Sequence, residues 1–377
     1  MFLGDPESLR NFNVMSDSEV SVPFVRYAES QGWGVELTHE DLAVLEASAH
    51  AQPTKKAKAH TVRLAILVFA DNFWLLATSR RQLQAMTNKL CELLFKAGLG
   101  TDLSECSWSC TSRAPPQGEV EVPNRWPGIL SKPSSSEKVT LQKKSRDSAI
   151  KVLGSMIACS GDCTAEIDHR ISRAWAAFHK HSRLLLCKSA PIFLRLERLR
   201  SFVLPSLLYN IGTCKLTKKH LSRLRGVELK MMTRIIGYRV RDTIDKKQDQ
   251  ADYMATVRVR IRTYRMRAKW HRWDEEALLK AHRWAGHVAR ITARAPSRLV
   301  GRALLYRGSA YLQTMQRLYG YQGHARRFHV WRWEGLFSRS RGSQWLCDAR
   351  DGEVWEDSGA SWLAQTTSTL YRTNLDD

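Results

Sequence analysis

The longest apolar runs of this 377-residue chain fall far short of the roughly 18 residues that a membrane-crossing helix needs, so no span is expected. Cysteine is sparse: eight residues, at 91, 106, 110, 159, 163, 187, 214 and 347, are scattered without a secretory leader. That usage fits free thiols in a reducing compartment, nucleus or cytoplasm, better than a disulfide scaffold. Two Cys-x3-Cys pairs occur, Cys106/Cys110 and Cys159/Cys163, and neither has a second ligand pair at zinc spacing, so buried thiols are expected there. Acidic residues are short in supply, with 37 Asp and Glu against 59 Lys and Arg, giving a net charge of +22 and a pI near 9.9. The deficit is uneven, because residues 1–60 net −4 and the rest +26. Such a balance points to a polyanion, RNA or DNA, gripped beyond the apolar stretch that ends at Ala77, although an acidic membrane surface or a ribosome would also satisfy the charge. A hydrophobic content of 43% supports a folded chain, and the length suits two or three domains.

The stretch 64–77 is the most strand-like in the chain: Leu64 to Ala70 and Phe73 to Ala77 are apolar, and only Asp71-Asn72 interrupts them. A carboxylate inside a buried strand would lose its solvation, so the pair is expected at the tip of a tight hairpin. Phe69-Ala70-Asp71-Asn72 resembles the Phe/Tyr-Ala-Asp-Asp of motif C in reverse transcriptases of the non-LTR (LINE-type) retroelements. The resemblance implies a polymerase palm in which Asp71 ligates a catalytic metal, Mg²⁺ in that family, with Asn72 standing at the second catalytic aspartate.

Other segments follow the family's order. Ser79 with Gln82 has the form of a capping box ahead of Leu83, Met86, Leu90, Leu93 and Leu94, and Gly98 supplies a stop. Ile150-Lys151-Val152-Leu153-Gly154-Ser155-Met156-Ile157 resembles the strand that closes the palm. Glu166-Ile167, Arg170-Ile171 and Ala177-Phe178 resemble the start of the thumb helix, expected here through Leu186. Leu204-Pro205-Ser206-Leu207-Leu208-Tyr209 resembles Leu-Pro-x-Leu-Leu-Tyr-Gly, with Asn210 in place of the glycine. Pro191 is expected to open the helix that leads there, and Pro205 to kink or break it. Thr217 and Gly237 bracket a further helix containing Leu221, Leu224, Val227, Met231 and Ile235. Arg283-Trp284-Ala285-Gly286-His287-Val288-Ala289-Arg290 resembles the family's Arg-Trp-x-Gly-His-Val-x-Arg. Arg332-Trp333-Glu334, Trp345, Asp351 and Trp355 resemble its terminal tryptophan pattern, for which helix packing is the default role. His287 is expected to be structural, having no acid or cysteine at a suggestive spacing.

Three departures accompany these matches. No upstream aspartate forms motif A, Asp17 being the nearest candidate; Gln31-Gly32 is not followed by the Ser-Pro of motif B; and Glu105 occupies the lysine position of motif D. Elsewhere, Thr38 with Asp41 suggests a short capped helix to Ala49, Lys55-Lys56-Ala57-Lys58 a solvated linker, and residues 111–147 a loop-rich insertion with short strands such as Val120–Val122.

Between Arg258 and Arg272, seven of fifteen residues are basic and none is acidic. A helix there would carry Val257, Ile261, Tyr264 and Ala268 on one apolar stripe and Met266, Trp270, Trp273 and Ala277 on another. Arg258, Arg262, Arg265, Lys269 and Arg272 would lie between them as a cationic edge for phosphates. Packing around tryptophans, or pairing with Asp274 and Glu275, is the competing role for these arginines.

The expected fold is α+β: a partial reverse-transcriptase palm with a β-hairpin, followed by a mostly α-helical thumb or connector and carboxyl-terminal region. Its parts would be a poorly defined segment 1–60, a partial palm 61–160 with the insertion 111–147, a thumb-like region 161–245 and a basic, tryptophan-rich region 246–377. The function the resemblance implies is that of an RNA-directed DNA polymerase remnant, inactive alone, for which a partner polypeptide would supply the missing palm. A non-catalytic RNA- or DNA-binding module and a degenerate reading frame stay open as alternatives. Oligomeric state is not legible.

Overall fold

The computed structural model describes residues 16–39, 60–69, 71–102, 105–112, 116–123, 138–237, 249–293, 337 and 345–372. It is a mixed α and β fold, and among the described residues no helix is long and apolar enough to cross a membrane. Two separate apolar cores divide it, a small one around the hairpin and a large helical one after residue 160.

The segment before residue 35, which shows little periodicity, begins with a π-helical turn, Asp17–Ser21, that runs into α1 (Val22–Ser30). Val20, Phe24 and Ala28 stand four apart and are fully buried, and Pro23 sits in the first turn, where its missing N–H costs nothing. Strand β1 (Val35–His39) pairs antiparallel with β2 (His60–Leu64). Thr38, expected to cap a helix, lies inside β1 opposite Thr61, so extended pairing has replaced the cap. The remainder of that expected helix and the linker at Lys55 fall outside the described residues. Strands β3 (Ile66–Phe69) and β4 (Asn72–Leu75) form the expected hairpin, Ile66 opposite Leu75 and Phe69 opposite Asn72. Next comes α2 (Arg80–Lys96), capped by the Ser79 hydroxyl, which accepts from the Gln82 N–H at 3.1 Å. The Gln82 side chain answers one residue earlier than a capping box would, on the Thr78 N–H at 2.8 Å. Met86, Leu90, Leu93 and Leu94 bury the inner face of α2 against Val20, Phe24 and Ile66.

Within the expected insertion, β5 (Ser107–Trp108) runs parallel to β8 (Gln142–Lys143), and β6 (Glu121–Pro123) antiparallel to β7 (Lys138–Thr140). The Gln84 amide of α2 acts as a surrogate strand neighbour for β6, donating to the Glu121 carbonyl at 2.7 Å and accepting from its N–H at 2.8 Å. Strands β9 (Ala149–Val152) and β10 (Ser155–Ala158) close a second hairpin whose tip, Leu153-Gly154, has positive φ at both residues.

The helical part follows: α3 (Thr164–Lys180), α4 (Ser182–Leu185), α5 (Ile192–Phe202), α6 (Leu204–Leu208), a 3₁₀ turn at Ile211–Thr213 and α7 (Lys218–Ile236). The helix expected through Leu186 breaks at His181, and the short α4 resumes at Ser182 and ends at Leu185. Pro191 stands just before α5 and Pro205 in the first turn of α6, so of the kink or break expected at the second proline the structure has the break, with a new helix starting there. Thr217 and His220 form a reciprocal capping box at the start of α7, and Gly237 ends it at φ 92°.

Next come α8 (Gln250–Ala268), α9 (Trp273–Ala293), α10 (Trp345–Asp348) and α11 (Gly352–Arg372). Trp345, Trp355, Trp362 and Phe337 are fully buried against α9, and His282 stacks on Trp355 with ring centroids 4.1 Å apart. A Cβ added at Gly286 would meet Trp355 Cδ1 at 2.4 Å, so the glycine is what lets the indole lie on the α9 backbone. Asp351 caps α11 by accepting from the Glu353 and Val354 N–H groups at 3.0 and 3.1 Å. Arg332-Trp333-Glu334 lies outside the described residues.

Candidate nucleic-acid interface

At the first hairpin, the pairing of Phe69 with Asn72 leaves positions 70 and 71 as the connection, of which Ala70 lies outside the described residues. Asp71 is therefore at the tip and Asn72 opens β4; both are exposed. The Asn72 Nδ2 donates to Asp71 Oδ1 at 2.8 Å, occupying one of the few oxygens a cation could use. Phe69 beside the tip is 59% exposed, and Leu67 and Val68 are exposed as well. Asp17 sits in the π-helical turn and Glu105 in an exposed turn, neither at a strand end. Among the described residues no three His, Cys, Asp or Glu side chains converge. One exposed carboxylate beside a neutral amide does not fit a pair of divalent ions, which needs several carboxylate oxygens around metals about 4 Å apart, so no step through Mg²⁺ follows from this site.

The basic segment gives a different picture from the two-striped helix of the sequence reading. Helix α8 stops at Lys269, which is left-handed at φ 54°, with the Trp270 N–H returning to the Arg265 carbonyl at 3.0 Å. Trp270 is thereby outside the helix and Trp273 begins α9, so the expected second stripe breaks up and Met266 is left 62% exposed. Val257 and Ile261 form a single buried strip, with Tyr253 and Tyr264 partly buried beside it.

The five predicted cations separate into two groups. Arg258, Arg262 and Lys269 are exposed along one edge of α8. Arg265 turns inward to Glu228 at 3.3 Å, and Arg272 grips Asp274 through two nitrogens at 3.0 and 3.1 Å and also reaches Glu275. The latter two arginines hold the α8–α9 corner together. At about 100° per residue, exposed Arg260 and Arg267 form a second basic row across the helix, and exposed Val259 and Met266 lie between the rows. Basic rows flanking an apolar strip can meet phosphates and base faces together.

The corner depends on Glu228 of α7, a residue the sequence reading did not single out. Its carboxylate is nearly fully buried, pairs with Arg265 and accepts from the Trp273 N–H, an orphan donor at the start of α9, at 3.2 Å. Burial pushes its pKa up to about 7, against the opposing pull of Arg265. His282, also unforeseen, is the buried histidine of α9, whereas His287 is exposed beside Trp284.

Three family-like segments meet at the second hairpin. Glu166 accepts from the Met156 N–H at 2.5 Å and from Arg170 Nε at 2.7 Å; Arg170 also donates to the Gly154 carbonyl. The Tyr209 hydroxyl donates to the Leu153 carbonyl at 3.1 Å, its ring lies over Arg170, and the Asn210 amide donates to the Ser155 hydroxyl at 2.7 Å. Asn210 is left-handed at φ 55°, a conformation that asparagine tolerates better than most residues and glycine adopts freely. No protein-family profile, curated protein or solved structure matches the chain. The functional reading therefore rests on the residues themselves.

Proposed function

We propose that the chain is a non-catalytic relative of the non-LTR reverse transcriptases that binds RNA or DNA along the open face of α8. The observation that carries the binding reading is the pair of basic rows, Arg258, Arg262 and Lys269 on one side and Arg260 and Arg267 on the other, around Val259 and Met266. The ordered matches to the family's segments support the kinship. Support for the loss of polymerisation comes from Asn72, whose neutral amide supplies no charge to a metal and hydrogen-bonds the one aspartate beside it. Arg265 and Arg272, tied to Glu228 and Asp274, serve the interface by fixing the corner from which α8 projects.

Binding to a labelled RNA or DNA oligonucleotide, titrated against salt, tests the reading. Three phosphate contacts predict an affinity loss of at least tenfold, roughly, between 50 and 200 mM salt. Replacing Arg258, Arg262 and Lys269 together with alanine is expected to reduce the slope of log affinity against log salt by about 2 to 3. Negligible binding, or binding indifferent to salt, overturns it. Primer extension with Mg²⁺ or Mn²⁺ is expected to fail, and extension that disappears in Asp71→Ala overturns the non-catalytic half.

A further inference from the structure

The start of α3 and the loop ahead of α7 meet at two sulfur atoms. Cys163 is the residue immediately before α3, and Cys214 directly follows the 3₁₀ turn. The Cys163 sulfur accepts from the N–H of Lys215, the residue next to Cys214, at 3.3 Å and packs against the core cluster that contains Cys214. Cys163 is partly exposed, while Cys214 is only 8% exposed within the helical core. A partly exposed sulfur with a backbone donor aimed at it, beside a buried second thiol, has the layout of an attacking and resolving pair.

The same contacts divide the two acidities. The bond from Cys214, helped by the Lys215 N–H, outweighs burial and draws the Cys163 thiol down to about 7, while that shared bond and burial push Cys214 far up. Elsewhere burial raises Cys91 to about 11 and also raises Cys106, which suits unreactive thiols. Cys187 is drawn down as well, by the Ser189 hydroxyl 3.0 Å away, and makes an internal comparison for reactivity without a resolving partner in that contact.

We infer that Cys163 and Cys214 form a reversible intrachain disulfide, with Cys163 as the attacking thiol and a low-molecular-weight disulfide such as oxidised glutathione as the oxidant. The Cys163 thiolate attacks one sulfur of the oxidant; a protein–glutathione bond forms, the glutathione S–S bond breaks and one glutathione thiolate departs. Cys214 then gives its proton to solvent and attacks the Cys163 sulfur, expelling the second glutathione thiolate. Two protein thiols are oxidised and one disulfide is reduced to two thiols. The disulfide formed has a sulfur–sulfur bond length of about 2.05 Å. The link would join the start of α3 to the loop leading into α7 and involves no residue of α8, so it does not rest on the proposed nucleic-acid reading.

The test uses the full reduced chain incubated with oxidised glutathione, blocked with iodoacetamide, digested and mapped by mass spectrometry. The expected product is one linked peptide pair joining 163 to 214. Cys214→Ser is expected to retain one glutathione on Cys163, and Cys163→Ser to leave Cys214 reduced; circular dichroism checks that both variants fold. Glutathione held on Cys163 of the unsubstituted chain without the link, modification confined to Cys187, or no reaction at all overturns the inference.

Discussion

The tips of the β3–β4 and β9–β10 hairpins have opposite surroundings. Around β9–β10, Glu166, Arg170, Tyr209 and Asn210 converge on the turn and the backbone hydrogen bonds close on one another. Around β3–β4, Asp71 and Asn72 are exposed and bond only to each other in the contacts described, above a core of a few α1 and α2 side chains. The side chains around the second tip have packing roles visible in this structure, whereas the pair at the first tip packs against little and faces solvent.

The largest effect is expected where packing is densest. Trp355→Ala removes a fully buried ring stacked on His282 and the bond from its Nε1 to the His282 carbonyl at 2.8 Å. A loss of about 3–5 kcal/mol is expected in denaturant unfolding followed by circular dichroism. A loss under about 1 kcal/mol would mean that the aromatic cluster does not consolidate the carboxyl-terminal helices.

Glu166→Ala should come close behind. It leaves Arg170, 5% exposed, without its carboxylate, which costs about 3 kcal/mol or more. Replacing both residues with apolar side chains of similar size should cost less than Glu166→Ala alone, because no unpaired charge is then left inside. Equal losses in the single and double variants would put the clamp's value in its shape and not in the ion pair.

A third test concerns the α8–α9 corner. Glu228 ordinarily titrates near 4.5 and is raised to about 7 in the fold. Between those values the folded chain holds a proton that the unfolded chain has released, so stability falls as pH rises through this window and the penalty is complete above it. The span is at most roughly 3 kcal/mol. Glu228→Gln retains an acceptor for the Trp273 N–H and should flatten the slope between pH 5 and 7; an unchanged slope assigns it to other groups.

What the sequence made legible follows physical range. Ser79, Thr217 and Gly237 mark helix ends through bonds to residues at most four positions away, so composition alone locates them. The first hairpin is legible because a polar pair interrupts two apolar runs. The break at Lys269 is not, since no glycine or proline marks it and its neighbour α9 is capped by Glu228, more than forty residues upstream. The Cys163–Cys214 contact is equally non-local. Helix α1 is not legible although Val20, Phe24 and Ala28 repeat at helical spacing, because Pro23 and the further apolar Val22, Val25 and Tyr27 between them blur so short a pattern. At the candidate interface, the sequence located the cations but could not tell Arg258, Arg262 and Lys269, which face solvent, from Arg265 and Arg272, which find carboxylates only after folding.

The smallest expected effect sharpens the contrast most. Asn72→Asp exchanges an exposed amide for a carboxylate next to Asp71, removing one hydrogen bond and adding a like-charge contact. In water two such charges about 4 Å apart repel by about 1 kcal/mol, and physiological salt screens part of that. Stability should therefore drop by about 0.5 kcal/mol or less and recover as salt is raised, with Mg²⁺ offsetting the repulsion in the variant while leaving the native chain unchanged. A drop beyond about 1 kcal/mol that salt does not reverse would make Asn72 a structural residue like Asn210. The asparagine would then be explained by folding, and the absence of a second aspartate would no longer speak about catalysis.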